Sequence, residues 1–316
     1  MLAPILVFTY NRVNHFKRTI ESLQRAHLAA ESTLVIISDG AKDVVAEKSV
    51  EEIRNYSLNI KGFKSVELEF RDSNWGAIRS FKEAQVKYLN LFGKMIFMED
   101  DNLIHPKALE FLNEALDFYE PDKSVFSISA YSVPLKFDTK DDFYFLPWYV
   151  PWVCATWKDK FLAFDWDVNL FGENILLEQN IQKMKQIGNF YYESALLDAR
   201  GYSHAMDARI NMHLFKENMV SVCPIRSLVQ NIGNDGMGLN AGKTDRFDTD
   251  IDYDIKTPFT FHKFESFNNE VLNAQKRFMD KGWFSKLLNM FYIRRIYYIG
   301  AHYFPFLRQM VRKVKL

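Results

Sequence analysis

Five short apolar runs punctuate the first 130 residues of this 316-residue chain, at positions 4–8, 33–37, 66–70, 94–98 and 125–128. They are rich in β-branched and aliphatic residues and nearly continuous, the pattern of strands covered on both faces. Between them apolar residues recur at helical spacing: Phe16, Ile20 and Leu23; Ala77, Phe81, Ala84 and Tyr88; Leu109, Leu112 and Leu116. Pro106 stands where the last of these helices would begin, a place where its missing N–H costs nothing. Strand–helix–strand repetition implies right-handed crossovers and a mixed, mostly parallel sheet flanked by helices, so the expected fold class is α/β.

After residue 130 the alternation fades. An aromatic stretch follows, with Trp148, Tyr149, Trp152 and Trp157, then helical patterns around 175–187 and 205–215 and a short strand at 220–223. Positions 231–242 hold four glycines and three asparagines and read as a flexible loop.

In open sheets of this class, ligands bind beyond the carboxyl ends of the strands. Polar residues gather at those ends. The first run leads into Thr9-Tyr10-Asn11-Arg12, the second into Ser38-Asp39-Gly40, the third into Arg71-Asp72-Ser73-Asn74-Trp75-Gly76, and the fourth into Glu99-Asp100-Asp101-Asn102. Four strands in succession deliver carboxylates or amides to one edge. The acid triplet is the sharpest of these signals. Three acids ending a buried strand are costly without a cation, and hard oxygen donors suit Mg²⁺ or Mn²⁺ bridging the protein to a diphosphate. The alternative is a solvated acidic turn in which Asp101 or Asn102 caps the next helix.

Taken in order, PILVFTYNR (4–12), ISDG (37–40), NWGAIRS (74–80) and FMEDD (97–101) resemble the GT-A glycosyltransferases. The nearest types are bacterial family-2-like enzymes and the N-acetylglucosaminyltransferase I type, whose DXD motif also takes an EDD form. WVCATWKDKF (152–161) and SLVQNIG (227–233) extend the resemblance to about residue 235. It implies a Rossmann-like GT-A catalytic domain at 1–265, with a nucleotide-binding half at 1–130 and an acceptor half at 131–265. The implied reaction is inverting, divalent-metal-dependent transfer of a hexosyl or N-acetylhexosaminyl group from a nucleotide-diphospho-sugar to a glycan or lipid-linked acceptor.

The same resemblance implies roles. Thr9, Tyr10 and Arg12 would line the nucleotide pocket, and Asp39 would contact the base or ribose. Arg79 would face the diphosphate or order the acidic loop, and Glu99 would lie near the ribose. Asp101 would ligate Mn²⁺ or Mg²⁺ with Asp100 beside it, and His262 would complete the metal shell. The catalytic base would be Asp207 or Asp198, although ungapped matching puts His204 opposite the family's acid. Trp152 would form an acceptor platform; core packing is the commoner use of such tryptophans, Trp148 and Trp157 included. For Asp39 the plain alternative is a turn residue before Gly40, for Arg79 a surface position, and for Asp207 an acid stabilised in the first turn of a helix.

Composition narrows the partners. The formal charge is zero, but residues 281–316 carry eight basic and no acidic side chains, leaving 32 basic and 40 acidic before them. That balance argues against a nucleic-acid-binding face. Residues 283–306 interleave nine aromatics with Arg294 and Arg295, so 266–316 is expected to be a helical basic-aromatic tail, its 281–316 portion lying on an anionic membrane surface; the alternative is a helix packed on the catalytic domain with a basic solvent face. Two cysteines and an N-terminus that reads as a strand imply a reducing, cytoplasmic setting on the inner face of the membrane. Two rival functions remain. A nucleotidyltransferase would place a glycine-rich loop after the first strand, where residues 9–12 have no glycine; a non-catalytic membrane-associated module would keep the fold without the chemistry.

Overall fold

The structure, a computed structural model, describes residues 1–135, 141–164, 178–199, 206–236 and 243–280. Strands β1 (Ile5–Thr9), β2 (Thr33–Ser38), β3 (Ser65–Phe70) and β4 (Lys94–Glu99) run parallel in the spatial order β3-β2-β1-β4. Helices α1 (Val13–Gln24), α2 (Val44–Ser57) and α3 (Ala77–Phe92) connect them. Beyond β4 the sheet becomes mixed. Strand β8 (Cys154–Trp157) lies antiparallel between β4 and β6 (Val125–Ser129); β9 (Val220–Pro224) joins β6 in parallel, and β7 (Phe143–Leu146) ends the eight-stranded sheet. This is the mixed, mostly parallel α/β architecture that the pattern implied.

Strand pleating divides the core into two layers. Ile5, Val7, Leu34, Ile36, Ile96 and Met98 point to one side, where they meet Phe16, Ile20 and Leu23 of α1 and Leu109, Leu112 and Leu116 of α4 (Ala108–Tyr119). Leu6, Val35, Ile37, Met95 and Phe97 point to the other, against Phe81, Ala84 and Tyr88 of α3. Because both faces are covered, the strand runs are apolar without a break. The run at 66–70 departs from this expectation. β3 is an edge strand with Ser65, Glu67 and Leu68 exposed, and the charge of Glu67 guards an edge that pairs only with β2 among the described residues.

Several elements carried too weak a pattern to be anticipated. α2 begins at an Asp43 N-cap that accepts from Ala46 N–H at 3.0 Å and buries only Ala46, Val50, Ile53 and Ser57. β7 and β8 arise from the aromatic-rich stretch. β5 (Asn102–Ile104) and β10 (Val229–Asn231) form a separate antiparallel pair with Asn231 opposite Asn102. The loop expected to be flexible at 231–242 is therefore tied down at its start, and 237–242 lie outside the described residues.

On the far side of the sheet, α5 (Lys158–Leu162) presents Lys160 to the end of α4. Its buried ammonium donates to Tyr119 O at 2.9 Å and Asp122 O at 2.8 Å and lies 3.5 Å from the Trp157 ring centroid, so a cation sits where the helix dipole is negative. Burial lowers this lysine to about 8.

The tail expected from residue 266 onward is described as far as Asp280. α9 (Asn269–Met279) places Val271, 1% exposed, in the core cluster. At its end Asp280 accepts from Phe190 N–H at 2.9 Å and from Asn189 Nδ2 at 3.2 Å, capping α7 (Asn189–Ala199), which follows α6 (Glu178–Ile187). The basic-aromatic stretch 281–316 lies outside the described residues. Among those described, no helix is long and apolar enough to cross a membrane. If α9 is part of the core, Val271→Ala should cost roughly 1.6 kcal/mol for two methyl groups before any cavity contribution, measured by urea denaturation. A detached tail would show no change.

Candidate active site

Register brings the ends of three strands level: Thr9 pairs with Ser38, and Phe8 with Glu99. Just beyond, the acid triplet meets the turn after β1. Asp100, 3% exposed, accepts from Thr9 Oγ1 at 2.8 Å, Tyr10 N–H at 3.3 Å and Arg12 Nη2 at 2.5 Å. Arg12 Nη1 lies 2.8 Å from Asp101 Oδ2, so one guanidinium spans both aspartates. Burial alone would lower the Arg12 pKa; Asp100 and Asp101 outweigh it and hold the group charged. Thr9, Tyr10, Arg12, Asp100 and Asp101 thus come together at one strand edge, with Asp100 acting as a latch between β4 and β1.

Residues not singled out individually complete this corner. Asp101 Oδ1 accepts from Asn102 Nδ2 at 3.1 Å and Asn231 Nδ2 at 3.0 Å, and Ile232 N–H donates to Asp101 O at 2.8 Å. Gly233 passes so close that a Cβ there would lie 2.0 Å from Asp101 Oδ2 and 3.0 Å from Arg12 Nη1. Any side chain at 233 would displace the ion pair. His15, on α1, holds the same loop through Ile232 O and Asp235 Oδ2, each 3.2 Å from Nε2. Asn231 and Gly233 stood in the SLVQNIG match; His15 carried no signal, since it occupies an ordinary helical position.

Asp39 organises the neighbouring strand end. Its carboxylate accepts from the N–H groups of Gly40 (2.9 Å), Trp75 (2.8 Å) and Gly76 (2.9 Å) and from Asn74 Nδ2 (3.1 Å). Gly40 is required because a Cβ would lie 2.3 Å from the Ser73 carbonyl carbon. The loop so held displays Trp75, with the Arg71 and Arg79 guanidiniums 3.9 Å and 4.3 Å from its ring centroid. Arg79 is exposed in the first turn of α3, and its observed neighbour is this ring.

α8 (Met206–Glu217) carries Asp207 in its first turn. Burial, then Asp198, raise its pKa although the backbone N–H groups at the helix start favour the charged form. Asp207 and Glu99 are close enough for their charges to act on each other and on the Tyr149 hydroxyl. Glu99 is exposed at the end of β4. Partial loss of solvation there, then Asp101 and Asp100, push it up to about 7. Asp198, the other candidate base, is 3% exposed and bound by Arg209 Nε at 2.9 Å, so its carboxylate is committed to an ion pair.

His262 does not join Asp101. Its ring lies against Phe143 and Phe145 on the terminal strand β7, with centroids 4.7 Å and 5.6 Å away, because the segment after residue 258 packs on the outside of the sheet. Trp152 is half-buried between Tyr131 and Phe247, while Trp148 and Trp157 are core residues.

The donor set bears on the expected cation. One guanidinium faces three carboxylates, and the surplus negative charge shows in the raised Glu99 and in Asp101, which burial lifts despite Arg12. An all-oxygen, electron-rich strand end fits a hard divalent ion. Among the described residues no three His, Cys, Asp or Glu side chains form a metal-binding group.

No family model and no curated protein sequence matches this chain. Among solved structures, a mannosyltransferase from Pyrobaculum calidifontis in complex with GDP-Man and Mn²⁺ is similar at 10% identity and TM-score 0.38, over 68% of this chain and 69% of that one. Mouse xyloside xylosyltransferase 1 is similar at 10% identity and TM-score 0.37, over 69% and 82%. TarS of S. aureus is similar at 15% identity and TM-score 0.35 over 52% of this chain, which spans 30% of TarS.

Two measurements test the electrostatics. Arg12→Gln leaves two buried aspartates unpaired and should cost about 2 kcal/mol or more. That is less than the ~3–5 kcal/mol of a fully buried pair, since Arg12 keeps some contact with water; denaturant unfolding reads it. Glu99 binds its proton more tightly folded than unfolded, so its contribution to stability is complete below about pH 4.5 and is lost as pH rises through about 7. Without added metal, Glu99→Gln should be more stable than wild type at pH 8, with the difference closing toward pH 4.5. A constant difference across that range would contradict the assignment.

Proposed function

We propose that this protein is a glycosyltransferase that draws a sugar from a nucleotide-diphospho-sugar at the ends of β1, β2 and β4. It passes the sugar, with inversion, to a hydroxyl of a glycan or lipid-linked acceptor. The observation that carries the reading is that Glu99 of the acid triplet and Asp207, far apart in the chain, lie near enough for the charge of Asp207 to act on Glu99. A charged strand end suited to a diphosphate thus has a separate carboxylate of raised basicity in its neighbourhood.

In this reading Arg12, kept charged by Asp100 and Asp101, meets the diphosphate as its ion pairs loosen. Asp39 acts at one remove by holding the Trp75 loop that borders the nucleotide. Asp207 takes the proton from the acceptor hydroxyl while that oxygen attacks the anomeric carbon, opposite the departing nucleoside diphosphate. A divalent cation at Asp101, when bound, supplies neutralisation of charge on the leaving phosphate.

The test is a panel of nucleotide-diphospho-sugars with Mn²⁺, measuring nucleoside diphosphate release. One donor should stand out, and Asp207→Asn should slow its turnover by about 10² or more while donor binding stays within a few fold. Pyrophosphate release from a nucleoside triphosphate and a sugar 1-phosphate would instead identify a nucleotidyltransferase. Inertness toward every donor would leave a binding module.

A further inference from the structure

Asp198 and Arg209 form an ion pair the proposed chemistry does not use. Asp198 sits near the end of α7, 3% exposed, and Arg209 lies two residues beyond Asp207 in the first turns of α8. The guanidinium Nε is 2.9 Å from Asp198 Oδ2, and both side chains are largely withdrawn from water, at 18% and 4% exposure. Desolvation consumes most of the attraction in such a pair, so net stability is a poor reason for it. What the pair does supply is a directional link between two consecutive helices at the point where the second one starts.

We propose that the Asp198–Arg209 pair is the positioning element for Asp207, pinning the first turn of α8 to the end of α7 and so fixing the Asp207 carboxylate relative to Glu99. This rests on Asp207 acting as the base. Asp207 belongs to that same first turn, two residues before Arg209, so its place follows the helix start. Any slip of α8 along α7 would carry the carboxylate with it. Misplacement of about 1 Å in a reacting group costs on the order of 10² in rate. The charge of Asp198 also bears on Asp207 directly and favours its protonated form. The other groups facing this carboxylate are Glu99 from β4, Tyr149 from the segment before β8, and Tyr191 from α7.

The experiment uses the full chain, the best donor of the panel, and NMR titration of ¹³C-carboxyl-labelled aspartate with Asp207→Asn to assign the signal. Asp198→Asn should lower kcat tenfold or more with the donor KM within twofold. It should move both the acid limb of kcat and the Asp207 titration to lower pH, because a neighbouring negative charge is gone. Arg209→Lys keeps the charge but loses the planar fork, and should lower kcat similarly with a smaller titration shift. Wild-type kcat in both variants, or an unmoved Asp207 titration in Asp198→Asn, overturns the inference. If Asp198→Asn does not fold, Arg209→Lys decides through its kcat. Full activity of Asp207→Asn removes the base itself and the inference with it; the titration, which needs no turnover, tells that failure apart from a failure of the pair.

Discussion

Two aspartates nearly cut off from water and one half-buried arginine hold the strand edge of this protein together. A buried carboxylate is tolerable only when a partner replaces the hydration it lost. Arg12 does this for Asp100 and Asp101 at once, with hydroxyl and amide donors filling the remaining lone pairs. The consequence is geometric. Arg12 belongs to the turn between β1 and α1, the aspartates to the turn between β4 and β5, and Asn231 and Gly233 to the segment after β9. Three distant stretches of chain must converge for the charges to cancel, and the small β5–β10 pair exists where that convergence takes place.

The adjacent strand end meets the same difficulty differently. Among the described residues the Asp39 carboxylate forms no ion pair; four N–H donors from two loops neutralise it. The result is a stiff loop carrying Trp75 beneath two guanidiniums, an aromatic and cationic rim beside the acidic corner. Compensation stops at Glu99 and Asp207. Loss of solvation and neighbouring carboxylates raise the proton affinity of both, and Arg12 offsets this only in part at Glu99. Chemistry is most plausible where a fold leaves charge unbalanced, because a ligand can then complete the balance.

Much of this was legible in the order of residues. Unbroken apolar runs ending in Thr9, Asp39 and Glu99 determined which segments are central strands and which polar groups share an edge, since a strand buried on both faces admits no polar residue until it emerges. The helical stripes of α1, α3 and α4 were readable for a related reason: burial on one side enforces their spacing. α2 escaped notice because only a narrow part of it is buried, and β3 was read as central although Glu67 and Glu69 belong to an exposed edge.

What the chain order could not decide was pairing across distance. Nothing local to His15 shows that it holds Ile232 and Asp235, and nothing local to Asp198 distinguishes a free base from the partner of Arg209. His262 looked like a metal ligand until its place beside Phe143 and Phe145 was known. Residue type and periodicity depend on each segment's own burial and are written locally. The partner of a buried charge depends on which segments the completed sheet brings within a few ångströms, and only the tertiary structure decides that.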